Sequence, residues 1–170
     1  MNWDAVSAIA EMLGATAVVV TLIYLAVQIR QNTKVARSAT RQAIAESAAQ
    51  LGADLLENSG MAEIFVKHFN GEELSAVEEL RLQARCYRDM RHWENVHYQV
   101  SEGLVTEDQW LGFRKNLVAL FTLPVYRQYW EQESEHYSEI FRSEVATILT
   151  ECQTAEASGS IAERFQDKAR

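Results

Sequence analysis

Between Met12 and Ile29 the chain carries 18 successive residues without a charge, MLGATAVVVTLIYLAVQI, polar only at Thr16, Thr21 and Gln28. At the helical rise this run covers roughly 27 Å, close to the ~30 Å hydrocarbon core of a bilayer, and Ala5 to Ala10 extend it by nearly two turns. A helix apolar on every face is either surrounded by a large core or by lipid, and 170 residues make too small a core to surround one. The pattern therefore predicts a transmembrane helix. No helix breaker follows it: the helical pattern continues through Gln31, Ala39 and Ala49 to Leu56, and the first stop is Asn58-Ser59-Gly60. One uninterrupted rod of about 50 residues, roughly 75 Å long, is expected.

Shorter helices follow, each marked by its ends. A brief one is expected over Met61 to Phe69, closed by Asn70-Gly71. Ser75-Ala-Val-Glu78 and Thr106-Glu-Asp-Gln109 are capping boxes, in which the hydroxyl and the acid or amide three residues on satisfy each other's backbone N–H groups. They open a long helix running to Ser101-Glu102-Gly103 and another ending near Thr122. Pro124 suits the first turn of a helix to Glu133, and Ser138 caps a last helix, Glu139 to Thr150. On the long helix Leu82, Cys86, Met90, Trp93, His97 and Val100 make one apolar stripe, beside a mixed stripe of Tyr87, Arg91, Glu94 and Tyr98. The first makes His97 a hydrogen-bonded core histidine, and the second makes Arg91 and Glu94 an intrahelical ion pair beside aromatic packing. Trp110, Trp130 and Phe141 read as core anchors. Beyond residue 153 the chain is polar with a Ser-Gly-Ser break, where Ile161 and Phe165 are expected to dock one weak turn.

The fold class predicted is all-α, with one N-terminal transmembrane helix continuing into a long cytoplasmic helix packed with a small helical domain. The expected organisation is a transmembrane segment over 1–30, a juxtamembrane helix over 31–57, a cytoplasmic helical domain over 58–153 and a polar tail over 154–170. A single proline among 170 residues and seven scattered glycines agree, since a sheet protein needs more turn chemistry.

Charge orients the molecule. Residues 1–29 sum to −2, residues 30–41 to +4 and residues 42–170 to −10, giving the net −8. Arg30, Lys34, Arg37 and Arg41 form a basic collar directly after the apolar run, and such residues are retained on the cytoplasmic side. A single-pass membrane protein is expected, with its N-terminus outside and its C-terminal domain cytoplasmic. A cleaved signal peptide would need bases before the run and a small-residue site after it; Asp4 and Glu11 precede it and Arg30 follows. Trp3 is placed in the outer interface and the collar in the inner one, while Glu11 falls near the outer edge, within reach of water. The overall acidity, pI about 5.0, excludes a general nucleic-acid role, which requires a basic field. Cys86 and Cys152, 66 positions apart, form neither a CxxC nor a zinc spacing.

Small residues mark surfaces of close helix approach: Ala10 and Gly14 in the span, and Ala36, Ala39 and Ala43, followed by Ser47, beyond it. The partners expected are the lipid bilayer and either further copies of the chain or another membrane protein.

The segment from Leu13-Gly14-Ala15 through Val18-Val19-Val20-Thr21-Leu22-Ile23-Tyr24-Leu25-Ala26-Val27-Gln28-Ile29-Arg30-Gln31-Asn32-Thr33 resembles the opening of a widespread group of uncharacterised bacterial proteins with one N-terminal span and a helical domain. Arg91-His92-Trp93-Glu94-Asn95 fits as well, as do Pro124, Tyr129-Trp130 and Phe141. In that group glycine commonly follows the proline and two tryptophans are adjacent, where this chain has Val125 and Tyr129. The resemblance implies a bacterial inner-membrane location and imports no activity.

Catalytic signatures are sparse. The chain has no Gly-rich phosphate loop, no GxSxG and no HExxH. Glu94-Asn-Val-His97 and Glu133-Ser-Glu-His136 are both Glu-x-x-His, the spacing by which di-iron bundles present two ligands on one helix face. Nineteen glutamates make such a coincidence easy. The reading favoured is a membrane-anchored helical assembly or protein-interaction protein with no evident catalytic activity and no cofactor. Two alternatives are a metal-dependent helical enzyme using Glu94, His97, Glu133 and His136, and an oligomeric pore for which Glu11, Thr16, Thr21 and Gln28 supply the polarity.

Overall fold

The computed structural model describes residues 3–57 and 59–157, and every regular element among them is helical. In chain order these are α1 (Trp3–Glu57), α2 (Ser59–Phe69), α3 (Ala76–Ser101), α4 (Glu107–Phe121), α5 (Pro124–Glu133), a 3-10 turn at Ser134–His136, and α6 (Glu139–Ala157). The all-α class, with a long apolar N-terminal helix and smaller helices after it, is as the hydrophobic pattern predicts.

Two units divide the chain, residues 1–41 and 42–170. In the first, every side chain from Val6 to Ala39 is exposed. The hydroxyls of Thr16, Thr21 and Thr33 donate to the carbonyls four residues back, Met12, Ala17 and Ile29, at 2.8, 2.8 and 3.0 Å. These three hydroxyls are thereby satisfied by the helix's own backbone, which is how a helix accommodates hydroxyls away from water.

The second unit begins inside α1. Ile44 is buried in the core, so the last turns of α1 belong with the helices that follow and not with the apolar segment. Both capping boxes form as the spacing requires: Ser75 with Glu78 opens α3, and Thr106 with Gln109 opens α4. Helix α3 closes where Gly103 takes φ of 67°, the left-handed region that favours glycine. Pro124 stands in the first turn of α5.

Two helix boundaries differ from expectation. Helix α2 starts at Ser59, before Met61, because first-turn N–H groups need no intrahelical carbonyl and small residues are tolerated there. Helix α6 continues past Thr150 to Ala157, so position 153 lies within a helix. Its buried stripe is the cause: Phe141, Val145, Ile148 and Cys152 recur at spacings of 4, 3 and 4, and Glu151 is gripped by Arg114 of α4 through two 2.8 Å bonds. Ile161 and Phe165 lie outside the described residues. The core gathers Met90, Trp93 and Val96 of α3, Trp110, Leu117 and Phe121 of α4, Tyr126 and Trp130 of α5, and the α6 stripe.

Candidate functional site

Among the described residues one helix, α1, is long and apolar enough to cross a membrane, and none of its apolar window, of mean hydropathy 2.1, is buried. An exposed helix of this composition near the N-terminus has the properties of a membrane span or of a signal sequence. The collar residues Arg30, Lys34, Arg37 and Arg41 are exposed, as is Trp3. So are Ala10, Gly14, Ala36, Ala39 and Ala43, and a Cβ built on Gly14 meets nothing within 4 Å. Among the described residues nothing comes close enough to require a glycine at that position. Thr16 and Thr21, two of the four residues that would line a pore, have their hydroxyls turned onto their own helix.

The chemistry of the second unit is concentrated on one face of α3. Asp89 is 3 % exposed and His92 8 %, the two polar residues buried among the described residues. Asp89 Oδ2 accepts from Arg85 Nε at 2.8 Å and from the Tyr126 hydroxyl of α5 at 2.5 Å. Arg85 also donates to the carbonyl of Leu51 at 2.9 Å. His92 Nδ1 lies 2.9 Å from the Ser47 hydroxyl of α1. Asp89 Oδ1 and His92 Nε2 are buried without a hydrogen-bond partner among the described residues. Burial, and secondarily the Asp89 carboxylate beside it, pushes the Tyr126 hydroxyl well above its ordinary range, while burial pushes the His92 imidazole below its own. The sequence pattern missed this cluster. Its one legible signal was the i, i+4 spacing of Arg85 and Asp89 beside an apolar stripe.

Arg91 and Glu94 form the expected ion pair at 2.6 Å, but both also reach across to the start of α6. Arg91 donates to the His136 carbonyl at 3.0 Å, with its guanidinium 4.4 Å from the centre of the Tyr137 ring. Glu94 accepts the Ser138 backbone N–H at 2.8 Å. Desolvation raises the Glu94 carboxyl, yet the Ser138 N–H and Arg91 outweigh it and hold the group below the ordinary carboxylate range. The pair is a brace between helices.

That geometry decides the fate of the two Glu-x-x-His pairs. Glu94 is committed to Arg91 and Ser138. His97, half-buried, packs edge-on against Trp110 at 5.1 Å and lies 5.9 Å from Phe141, an aromatic contact in place of the hydrogen-bonded one expected. Glu133 and His136 pair with each other at 3.0 Å on an exposed turn. No group of three or more His, Cys, Asp or Glu among the described residues is placed to hold a metal.

A cleft of about 440 Å³ opens between α2, α3 and α5. Leu82, Cys86, Val125 and Tyr129 form its buried floor, and Glu73, Glu79, Glu133, Gln83, Gln128 and Gln132 stand around its rim. The Cys86 thiol is pushed up to about 12, by burial first and the nearby Asp89 second, so it stays protonated and unreactive. The rim of the recess thus presents carboxylates and amides, and the thiol on its floor is held in the protonated form. No family model matches the chain, and no curated protein or solved structure matches it.

Proposed function

We propose that this chain is a single-pass bacterial inner-membrane protein whose cytoplasmic helical domain mediates assembly, with copies of itself or with another membrane protein. The observation that carries the reading is the unbroken exposure from Val6 to Ala39, whose apolar part, left in water, would be many times the largest patch a soluble monomer tolerates. The internally bonded threonines support lipid as its surroundings, and the acid before and bases after the run support a retained anchor with its N-terminus outside. Assembly is supported by the small residues Ala10 and Gly14 facing outward, and by a recessed cleft with an acid and amide rim. The chemistry of the second unit speaks for contacts over catalysis: its buried charges are paired, and Glu94 serves as a brace.

Membrane fractionation with paired reporter fusions tests this. The full chain is expected to resist extraction at alkaline pH, to dissolve in mild detergent, and to place a reporter after Arg170 in the cytoplasm. Release into the soluble fraction without detergent overturns the anchor. A periplasmic reporter signal overturns the orientation.

A further inference from the structure

The core accounts for one side of α3, where Leu82, Cys86, Met90 and Trp93 face inward. The opposite side carries a second apolar pattern. Val77, Leu80, Ala84 and Tyr87 recur at spacings of 3, 4 and 3, the period of a heptad seam. All four are exposed, and the large ones, Val77, Leu80 and Tyr87, stand open at 60 %, 66 % and 51 %. At the next two seam positions Arg91 and Glu94 brace the start of α6, which ends the open stretch. We propose that this seam joins two copies of the chain, α3 against α3, parallel and in register; the proposal rests on the assembly reading and gives that assembly its surface and its partner.

Charges beside the seam select the partner and its direction. One edge carries Arg81 and Arg88, the other Ala76 and Gln83, and no acid stands on either. Glu79, the exposed acid of this stretch, belongs to the rim of the cleft instead. In a parallel pair each edge meets the opposite edge of the second copy, so Arg81 lies across from Ala76, and Arg88 across from Gln83, whose amide oxygen accepts from a guanidinium. An antiparallel pair would set arginine edge on arginine edge, at the cost of like charges in contact. In register, Leu80 meets Leu80 and Tyr87 meets Tyr87, with Ala84 between them small enough for close backbone approach. A patch that is its own complement is what a two-fold contact requires. The open seam covers two heptads, short for a pair in free solution. The apolar segment of α1 offsets this by confining the copies to one bilayer, where their effective concentration is high.

Disulfide trapping of the full chain in native membranes tests the seam, with single added cysteines; the natural Cys86 and Cys152 are buried and stay silent. Leu80→Cys is expected to form a linked dimer under mild oxidation about tenfold faster than Lys115→Cys, exposed on α4, because equal positions face each other in a parallel, in-register pair. On the Leu80→Cys background, Gln83→Glu sets a carboxylate across from Arg88 and is expected to speed trapping about threefold, while Gln83→Arg slows it by a similar factor. Both positions are on the surface, so urea unfolding of the second unit is expected to stay unchanged and to show that the fold is intact. Particle mass in mild detergent reads assembly separately. A multimer in which Leu80→Cys traps no faster than Lys115→Cys overturns the seam and leaves the assembly reading standing, whereas a monomer at every concentration overturns self-assembly with it. Trapping that needs Leu80→Cys in one copy and Ala84→Cys in the other marks an antiparallel pair and overturns the direction, and equal trapping in the two Gln83 variants overturns the register.

Discussion

Replacing Asp89 by alanine is expected to be the most destabilising single change in the buried polar cluster, and the structure gives its size. The carboxylate takes two bonds on one oxygen, from Arg85 and from Tyr126, and Asp89 and Arg85 side chains are 4 % and 10 % exposed. Removing it leaves the guanidinium with the Leu51 carbonyl alone and the phenol of Tyr126, 2 % exposed, without an acceptor. Breaking a buried ion pair from one side costs about 3–5 kcal/mol, because the surviving charge keeps its desolvation penalty. Tyr126→Phe removes only the hydroxyl and leaves Asp89 with Arg85, for about 1–2 kcal/mol. In the double variant the orphaned phenol is gone, so the combined cost is expected to fall short of the sum by about 1 kcal/mol. Trp93, Trp110 and Trp130 are buried in this unit and report its unfolding by fluorescence in urea, with the full chain held in mild detergent. An Asp89→Ala midpoint equivalent to less than about 1 kcal/mol, or a strictly additive double variant, would show that water reaches the carboxylate and refute the reasoning.

Gly14→Ile is expected to move the chain toward smaller species in chemical crosslinking and particle-mass measurement while leaving the melting of the second unit unchanged, since a Cβ at Gly14 meets nothing within 4 Å among the described residues; an unchanged mass distribution counts against association through this face. Arg91→Ala removes the brace on Glu94, the His136 carbonyl and the Tyr137 ring, and is expected to cost about 1–3 kcal/mol in urea unfolding and to speed exchange around residues 134–138 without altering particle mass. The Glu78 carboxyl is held down to about 2 by the Lys67 hydrogen bond first and the Ser75 cap second. The link between α2 and the start of α3 is therefore expected to persist through pH 5 and to be lost only as pH falls from the ordinary glutamate value of about 4.3 toward 2, which side-chain NMR of Glu78 measures directly.

How much of this was legible depends on the reach of each signal. The capping boxes at Ser75 and Thr106, the proline at 124 and the uncharged run after Met12 are local, and a helix end or an apolar span needs no distant partner to be read. The burial of Asp89 and His92 was not legible, because each is admitted to the core by a hydroxyl far away in sequence: Tyr126 is 37 residues from Asp89, and Ser47 is 45 from His92. The same holds for Glu94, which a spacing rule paired with His97 and which the fold pairs with Ser138, 44 residues on. The far end of α6 was missed for a related reason: Arg114 of α4 holds a turn that looks too polar to persist alone.

That bond from Glu94 to the Ser138 amide ties the start of α6 to a helix laid down earlier in the chain. An acid on a helix some 40 residues earlier satisfies an amide at its first turn, so by the time α6 leaves the ribosome its anchoring point has already been made. The angular phase of α6 is thereby set from outside, and the short turn at Ser134–His136 acts as a gauge of fixed length. Adding or deleting one residue there rotates the whole of α6 by about 100° against that anchor. Phe141, Val145 and Ile148, all 0 % exposed, would then point away from the core together. Sequence length between Glu133 and Ser138 is consequently under tighter constraint than sequence identity, since substitutions in an exposed turn are absorbed locally and a change of count is transmitted along the full helix.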